Sequence, residues 1–417
     1  MRTRRRFFSD TTPLRESAQY RRLYLGQLFA IFGSQITVVA VPLQVYLITG
    51  SSLLVGLLGL AQLVPLLLFS LVGGAVADRV DRRKLLVWMQ LSRGTLSAGL
   101  VANALLPRPA VWPLFVLTAL QAGLHAVDSP ARNASIPALV RRELLPAAAA
   151  LHQILMQVGM VAGPALAGVI VARANLATAY MIELVSFAVA AAFSASLRPL
   201  PPGEGSDGDA GLFTSIWTGL RFLRGQKPLQ GIFVADLSAM VFGMPRALFP
   251  ALGTGLFGGG PEVVGLLFAA PGAGALVAAL TAGWVGSVHR IGRAVLAAVA
   301  VWGLAITIFG LVAWLPLALL MLAVAGAADV VSAVFRNTIL QTSVPDGMRG
   351  RLSGVHMAVV QGGPRLGDAE AGTVAALTTP QFSVVSGGLA CLLGVALVAW
   401  RIPELDRMVL RRSPDPG

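Results

Sequence analysis

Gly73-Gly74-Ala75-Val76-Ala77-Asp78-Arg79-Val80-Asp81-Arg82-Arg83-Lys84 closes one apolar run, Leu53–Ala77, and opens a basic loop. A run of that length crosses the ~30 Å hydrocarbon core of a bilayer as a helix, because backbone groups in that medium must be satisfied within the segment. The glycines, Gly73 and Gly74, permit close helix approach. Asp78 stands at the helix end, where it can pair with a base or cap a neighbouring helix N-terminus. Arg79, Arg82, Arg83 and Lys84 suit a loop that meets anionic headgroups.

Runs of this kind recur along the chain. Of 417 residues, 56% are hydrophobic and 12% charged, against roughly 25% charged in soluble domains. That is too few charges to cover a soluble surface. Twelve spans are predicted, from Leu23–Ile48 to Gln381–Trp400. The eighth and ninth, Val263–Val285 and Ala294–Trp314, carry no charge, whereas the fourth, seventh, tenth and eleventh (Val111–Leu139, Pro228–Pro250, Pro316–Ser343 and Leu352–Leu377) carry several.

Charge placement tests that count. With the N-terminus in the cytoplasm, 25 of the 32 Lys and Arg residues fall in cytoplasmic tails and loops, and only Arg108 and Arg173 fall outside. This is the bias of the positive-inside rule, and one missed span would scramble it. The reading predicts a multi-pass protein of the cell (inner or plasma) membrane with both termini cytoplasmic. The formal charge of +13 is thereby assigned to lipid headgroups and not to nucleic acid. Met1–Tyr20 lacks the apolar core and cleavage site of a signal peptide.

The polar stretch Arg198–Lys227 divides the chain. Pro199, Pro201 and Pro202 precede Gly-Glu-Gly-Ser-Asp-Gly-Asp at 203–209, and an amphipathic segment follows with Leu212, Phe213, Ile216, Leu220, Phe222 and Leu223. The expected organisation is an all-α membrane protein. Residues 1–197 form a six-helix half, 198–227 a cytoplasmic linker with a stretch lying on the membrane surface, and 228–417 a second six-helix half with a short tail. The halves echo one another. Gly74–Asp78 answers to Gly283–Ser287, Arg132-Asn133 to Arg336-Asn337, and Gly163-Pro164 to Gly363-Pro364. Matches in one order at offsets near 200 predict a duplicated, pseudo-symmetric fold.

Several chemistries find no support in the sequence. It contains no phosphate-binding Gly-x-x-x-x-Gly-Lys-Ser/Thr loop and no His-Glu-x-x-His motif, so no enzyme, cofactor or metal site is expected. The single Cys391 excludes an internal disulfide and is expected to be a small packing residue.

The 73–84 stretch resembles the signature of the major facilitator superfamily, Gly-x-x-x-Asp-Arg-x-Gly-Arg-Arg, with Asp81 in place of the second glycine. Parallel repeats about an axis along the membrane normal are the arrangement of that superfamily. The variant, together with Val39–Gln44, Asn103–Pro107, Gly219–Leu223, Leu248–Leu252, Asn337–Leu352 and Gly367-Asp368-Ala369, is similar to the branch that contains the enterobactin exporter. The resemblance implies twelve transmembrane helices in two halves and proton-driven export of a siderophore or a hydrophobic drug. In span five, Gly159, Gly163, Pro164 and Gly168 resemble the Gly-Pro motif of drug–proton antiporters.

Charges inside spans supply the candidate sites. Each costs about 2.5–3.5 kcal/mol at a helix centre on insertion scales, so acids and bases in near-equal number suggest pairing. Asp128 and Arg132 lie four apart on one face. Arg365 and Asp368 lie three apart. Asp329 and Arg336 share a face but are about 10 Å apart by helical rise. Asp236 has no basic residue within a helical turn and is the first candidate for a proton carrier, followed by Asp329, Asp368 and Asp128. Arg132, Arg336 and Arg365 are candidates for cargo binding or charge pairing. Arg93 is expected to share a gating network with Gly74, Asp78, Arg79, Arg82 and Arg83. Glu183 and Glu370 complete the intramembrane acids, and Glu183 is expected either to face lipid headgroups or to pack structurally. His152 and His356 are expected as satisfied polar residues near helix ends.

The expected function is a proton-coupled exporter of a siderophore or similar amphipathic molecule, acting as a monomer among membrane lipids. A multidrug antiporter is the alternative. A facilitator of a small polar nutrient and a non-transporting scaffold fit less well, since the spans are rich in Leu, Val, Ala, Met and Phe and a scaffold has no use for paired buried charges.

Overall fold

The computed structural model describes residues 10–201 and 212–408, less some side chains within helices. Among the described residues every regular element is helical. The long helices are α1 (Ala18–Thr49), α2 (Ser52–Arg79), α3 (Arg82–Leu105), α4 (Trp112–Leu139), α5 (Leu145–Arg173) and α6 (Leu176–Ala195). A shorter α7 (Leu212–Leu223) follows, then α8 (Lys227–Phe242), α9 (Pro261–Thr281), α10 (Ile291–Leu311), α11 (Leu315–Ser343), α12 (Asp346–Leu377) and α13 (Pro380–Arg401). Among the described residues, nine helical segments are long and apolar enough to cross a membrane. Among the long helices, α3, α4 and α12 miss the criterion, and they carry Arg93, Asp128, Arg132, Arg365 and Asp368.

Two compact units emerge. One comprises Met1–Ile48, Ala61–Gly208 and Gly260–Gly265, and the other Thr49–Leu60, Asp209–Gly259 and Leu266–Gly417. Each unit includes a short segment from elsewhere in the chain, and glycines let these segments pack within it. In the second unit, a Cβ added to Gly59 would stand 2.8 Å from the Arg365 carbonyl oxygen, and one on Gly372 would stand 2.6 Å from the Ser52 carbonyl oxygen. In the first unit, a Cβ on Gly168 would stand 2.9 Å from Gly265 Cα. Backbones this close require residues without side chains.

Inside the first unit, α3 packs along α4 and α6, and in the second α10 packs between α11 and α13. A buried cluster of Tyr20, Leu23, Leu86, Ala131, Leu139 and Leu151 joins α1, α3, α4 and α5. Tyr20 threads this apolar cluster and donates its hydroxyl to the Ala148 carbonyl at 3.1 Å. Cys391 is buried, with Sγ 3.9 Å from the Val299 carbonyl, a packing position.

The seventh predicted span, Pro228–Pro250, is not one helix. α8 stops at Phe242, and the chain resumes as a 3-10 turn at Arg246–Leu248 followed by a wide turn at Leu252–Leu256. Pro245 has no N–H to continue the ladder, and it disfavours helical geometry at Met244. The freed Gly243 carbonyl is taken by the Trp302 indole N–H at 2.8 Å. The linker core at 203–209 lies outside the described residues. α7 forms where the amphipathic segment was read, with Trp217 and Leu220 exposed and Leu223 buried.

Candidate functional site

In the second unit a guanidinium is shared by two carboxylates. Arg336, on α11, pairs its Nη1 with Asp236 Oδ1 of α8. Its Nη2 lies 3.6 Å from Asp329 Oδ1, two turns earlier on α11. The side chains of Asp236 and Arg336 are 1% and 4% exposed, whereas that of Asp329 is 36% exposed. Arg336 therefore holds one sealed acid tightly and one open acid loosely. Asp236 Oδ2 has no hydrogen-bond partner, so the sealed acid rests on the arginine alone.

This corrects two sequence expectations. Asp236 has no basic neighbour on its own helix, but it has one across the interface with α11. Asp329 and Arg336 do meet, because the long arginine side chain spans the two turns that separate their backbones.

The third expected pair does not form. Asp368 accepts the Ala247 N–H at 3.2 Å, and Arg365 donates Nη1 to its own-helix Gln361 carbonyl at 2.5 Å. Among the described residues no ion pair links Arg365 and Asp368. Asp368 instead secures the turn after the broken α8. Arg246, on that turn, lies within electrostatic reach of both Asp329 and Asp368.

In the first unit the balance is one to one. Asp128 and Arg132 form a buried ion pair within α4, as their spacing predicts. Gln90 of α3 donates Nε2 to Asp128 Oδ1 at 3.4 Å. Arg132 and Arg336, 204 residues apart in the repeat, thus each hold an acid on their own helix, and Arg336 holds a further one.

Arg93 of α3 is 5% exposed. Its Nη2 donates to Ser34 Oγ of α1 at 2.7 Å, and its Cζ lies 4.3 Å from the Phe187 ring centroid of α6, a cation–π contact. Nearby, Glu183 of α6 is completely buried. Nothing on its own helix signals a partner, so the sequence supports only headgroup contact or structural packing for it. The one available signal was an acid inside the otherwise uncharged Leu176–Ala195. His152 Nδ1 lies 2.6 Å from Gln27 Nε2, and the His356 ring meets Phe233 edge-on at 6.2 Å.

The 73–84 stretch is fastened within its own unit. Asp81 caps α3 by accepting the N–H groups of Arg83 at 2.8 Å and Lys84 at 3.3 Å. An acid in place of the signature glycine therefore has a defined task. Arg82 donates Nη1 to the Ala134 carbonyl at 3.0 Å, and Arg83 donates Nη2 to the Ala195 carbonyl at 2.6 Å. The Arg83 contact places a positive charge at the C-terminal end of α6, where it is favourable. Arg79 is exposed. Gly74 and the Asp78 side chain, with the gating network expected of them, lie outside the described residues. Gly163 and Pro164 are buried in α5, where a Cβ on Gly163 would press into Gln35 of α1. α5 continues through Pro164.

Long apolar helices that bury acid–base pairs make a candidate site of the kind membrane transporters use. The chain belongs to the transmembrane secretion effector family of the major facilitator superfamily, whose model matches residues 8–415. It is 31% identical over 421 residues to the enterobactin exporter EntS of Citrobacter koseri, covering 99% of this chain and 98% of that one. It is likewise 31% identical over 408 residues to the enterobactin exporter EntS of Shigella boydii serotype 4, covering 96% and 95%. The fold is similar to that of the nucleoside transporter NupG (D323A mutant), with a TM-score of 0.73 at 13% identity over 93% of this chain and 98% of that one. A bacterial homologue of the iron transporter ferroportin has a TM-score of 0.68 at 17% identity over 93% and 98%.

Proposed function

We propose that the chain exports a siderophore or similar amphipathic small molecule in exchange for protons, by alternating access. The cargo class is carried by the likeness to enterobactin exporters along nearly the whole chain. The coupling is carried by one observation, the sharing of Arg336 between Asp236 and Asp329.

Two acids contend for one base. When Asp329 is ionised, it draws the Arg336 guanidinium towards α11. A proton arriving at the open Asp329 removes that pull and commits Arg336 to Asp236 on α8. Loss of the proton reverses the exchange. The pair therefore has two arrangements that differ by one proton, and the two helices feel each arrangement differently. A conformational equilibrium shifts only by the difference in how its states bind a ligand, and here the ligand is the proton. Asp329 takes the carrier role ahead of Asp236, with Asp236 as the fixed anchor. Arg246, near Asp329 and Asp368, keeps their combined charge from accumulating.

The proposed organisation is a six-helix half at 1–197, a linker at 198–227 and a six-helix half at 228–417, working as one chain. The protein resides in the inner membrane with its N- and C-termini in the cytoplasm, consistent with the distribution of its basic residues. Gly74, Asp78 and Arg79 form the cytoplasmic gate, and Gly163 and Pro164 the packing surface that resists leakage.

The test is cargo uptake into everted vesicles carrying the protein, with and without an imposed proton gradient. Enterobactin uptake that collapses on adding a protonophore supports the proposal. Uptake indifferent to the gradient overturns the antiport. Uptake of lipophilic dyes with no effect of enterobactin overturns the siderophore assignment in favour of drug efflux.

A further inference from the structure

Glu183 occupies a site that neither the shared arginine nor the Asp128–Arg132 pair uses. It is completely buried in α6, yet neither carboxylate oxygen has a hydrogen-bond partner at full geometry. Its surroundings are polar all the same. The carboxylate faces the hydroxyls of Thr37 on α1 and Ser97 on α3 and the amide of Gln121 on α4, with the Arg93 guanidinium within electrostatic reach. Thr37 Oγ1 and Arg93 Nε are also buried without a partner. Three helices thus direct hydrogen-bonding groups at one acid on a fourth, where Ser97 Oγ also donates to the Arg93 carbonyl at 3.0 Å and accepts from Gln121 Nε2 at 3.2 Å.

A structural salt bridge does not account for this. Among the described residues no ion pair joins Glu183 to Arg93, whose Nη2 is engaged by Ser34 and whose face lies on Phe187. A buried carboxylate with no cation paired to it is costly, and protonation is the usual way such a group is accommodated. The other titratable groups nearby have partners of their own. Tyr180, three residues earlier on α6, gives its hydroxyl to Gln44 of α1 at 2.7 Å. Beyond Arg93 lie the Asp128–Arg132 pair of α4 and His152 of α5.

We propose that Glu183, with Thr37, Ser97, Gln121 and Arg93, is a second proton-binding site, located in the first unit and separate from the acids that share Arg336. This rests on the reading of the protein as a proton-driven exporter. A proton adds to a Glu183 carboxylate oxygen, giving a neutral acid suited to full burial. When it leaves, the carboxylate gathers the hydroxyls of Thr37 and Ser97, the Gln121 amide and the Arg93 guanidinium, and Ser34 is released. The hydroxyls, each able to donate and accept, are the relay by which the proton enters and departs. The site thus switches which helices α3 binds: α1 through Ser34 in one state, α6 through Glu183 in the other.

The experiment is pH-difference infrared spectroscopy on the full chain reconstituted in liposomes, following the carbonyl stretch of protonated carboxyls. The wild type is expected to show a titrating buried-acid band that is lost in Glu183→Gln and retained in Asp329→Asn. An unchanged band in Glu183→Gln overturns the proposal. Should that variant fail to fold, Thr37→Val serves in its place, because a missing hydroxyl displaces the midpoint of the band. A midpoint that stays fixed overturns the proposal. The spectrum needs no cargo and no gradient, so failure of the antiport reading in vesicles leaves this result separately readable.

Discussion

Asp236 and Arg336 stand on different helices, α8 and α11, and form an ion pair sealed from solvent on both sides. Removing one partner of such a pair leaves an uncompensated buried charge, at about 3–5 kcal/mol. Arg336→Gln is therefore expected to lower thermal stability in detergent by that order. The double variant Asp236→Asn/Arg336→Gln should recover most of the loss. Transport should be absent from both, because stability and coupling part company at this pair.

Asp236→Asn alone has a different expected outcome. Asp329 is already 3.6 Å from Arg336 and can take over the guanidinium. The variant should insert and fold, but cargo uptake should no longer respond to the proton gradient. Asp329→Asn should uncouple as well, with less effect on the melting temperature, since that acid is partly open. Gradient-driven uptake by Asp329→Asn at the wild-type rate would remove Asp329 from the carrier role.

Asp128 and Arg132 make the balanced counterpart in α4. A double-mutant cycle with Asp128→Asn and Arg132→Gln should give a coupling energy within the range of about 0.5–3 kcal/mol seen for residues in contact. Each single variant should be less stable than the pair of changes together. Additive losses would show that the pair contributes nothing as a pair.

Gly59 meets the backbone of α12 inside the second unit. Gly59→Leu should force α12 away from α2 at Arg365 and reduce transport strongly while the protein still inserts. Wild-type transport by this variant would mean that the close approach is dispensable. Asp81→Ala should cost about 0.5–2 kcal/mol as a lost helix cap, read as faster amide hydrogen exchange at Arg83 and Lys84.

The helices were legible because each apolar run reports its own length, and the Asp128–Arg132 pair because four residues is one turn of one helix. Asp236–Arg336 was not, since a partner on another helix leaves no trace in local spacing. The helical rise between Asp329 and Arg336 is about 10 Å, and the reach of the arginine side chain, which spacing does not report, brings them to 3.6 Å. Arg365 and Asp368 had pairing distance in sequence, but Ala247 and Gln361 offered closer partners. The break after Phe242 was written in Gly243 and Pro245, and it is the hydropathy of the surrounding residues that hides it. Glu183 was visible as an acid in an uncharged run. Its setting among Thr37, Ser97, Gln121 and Arg93 exists only once four helices come together.

The most direct measurement is proton movement itself. Proteoliposomes containing the purified chain and an internal pH dye are given enterobactin on one side. Proton flow opposite to the cargo, abolished in Asp329→Asn, is the predicted result. Cargo movement without any proton flow in the wild type would contradict the exchange of Arg336 between Asp236 and Asp329 as the source of coupling.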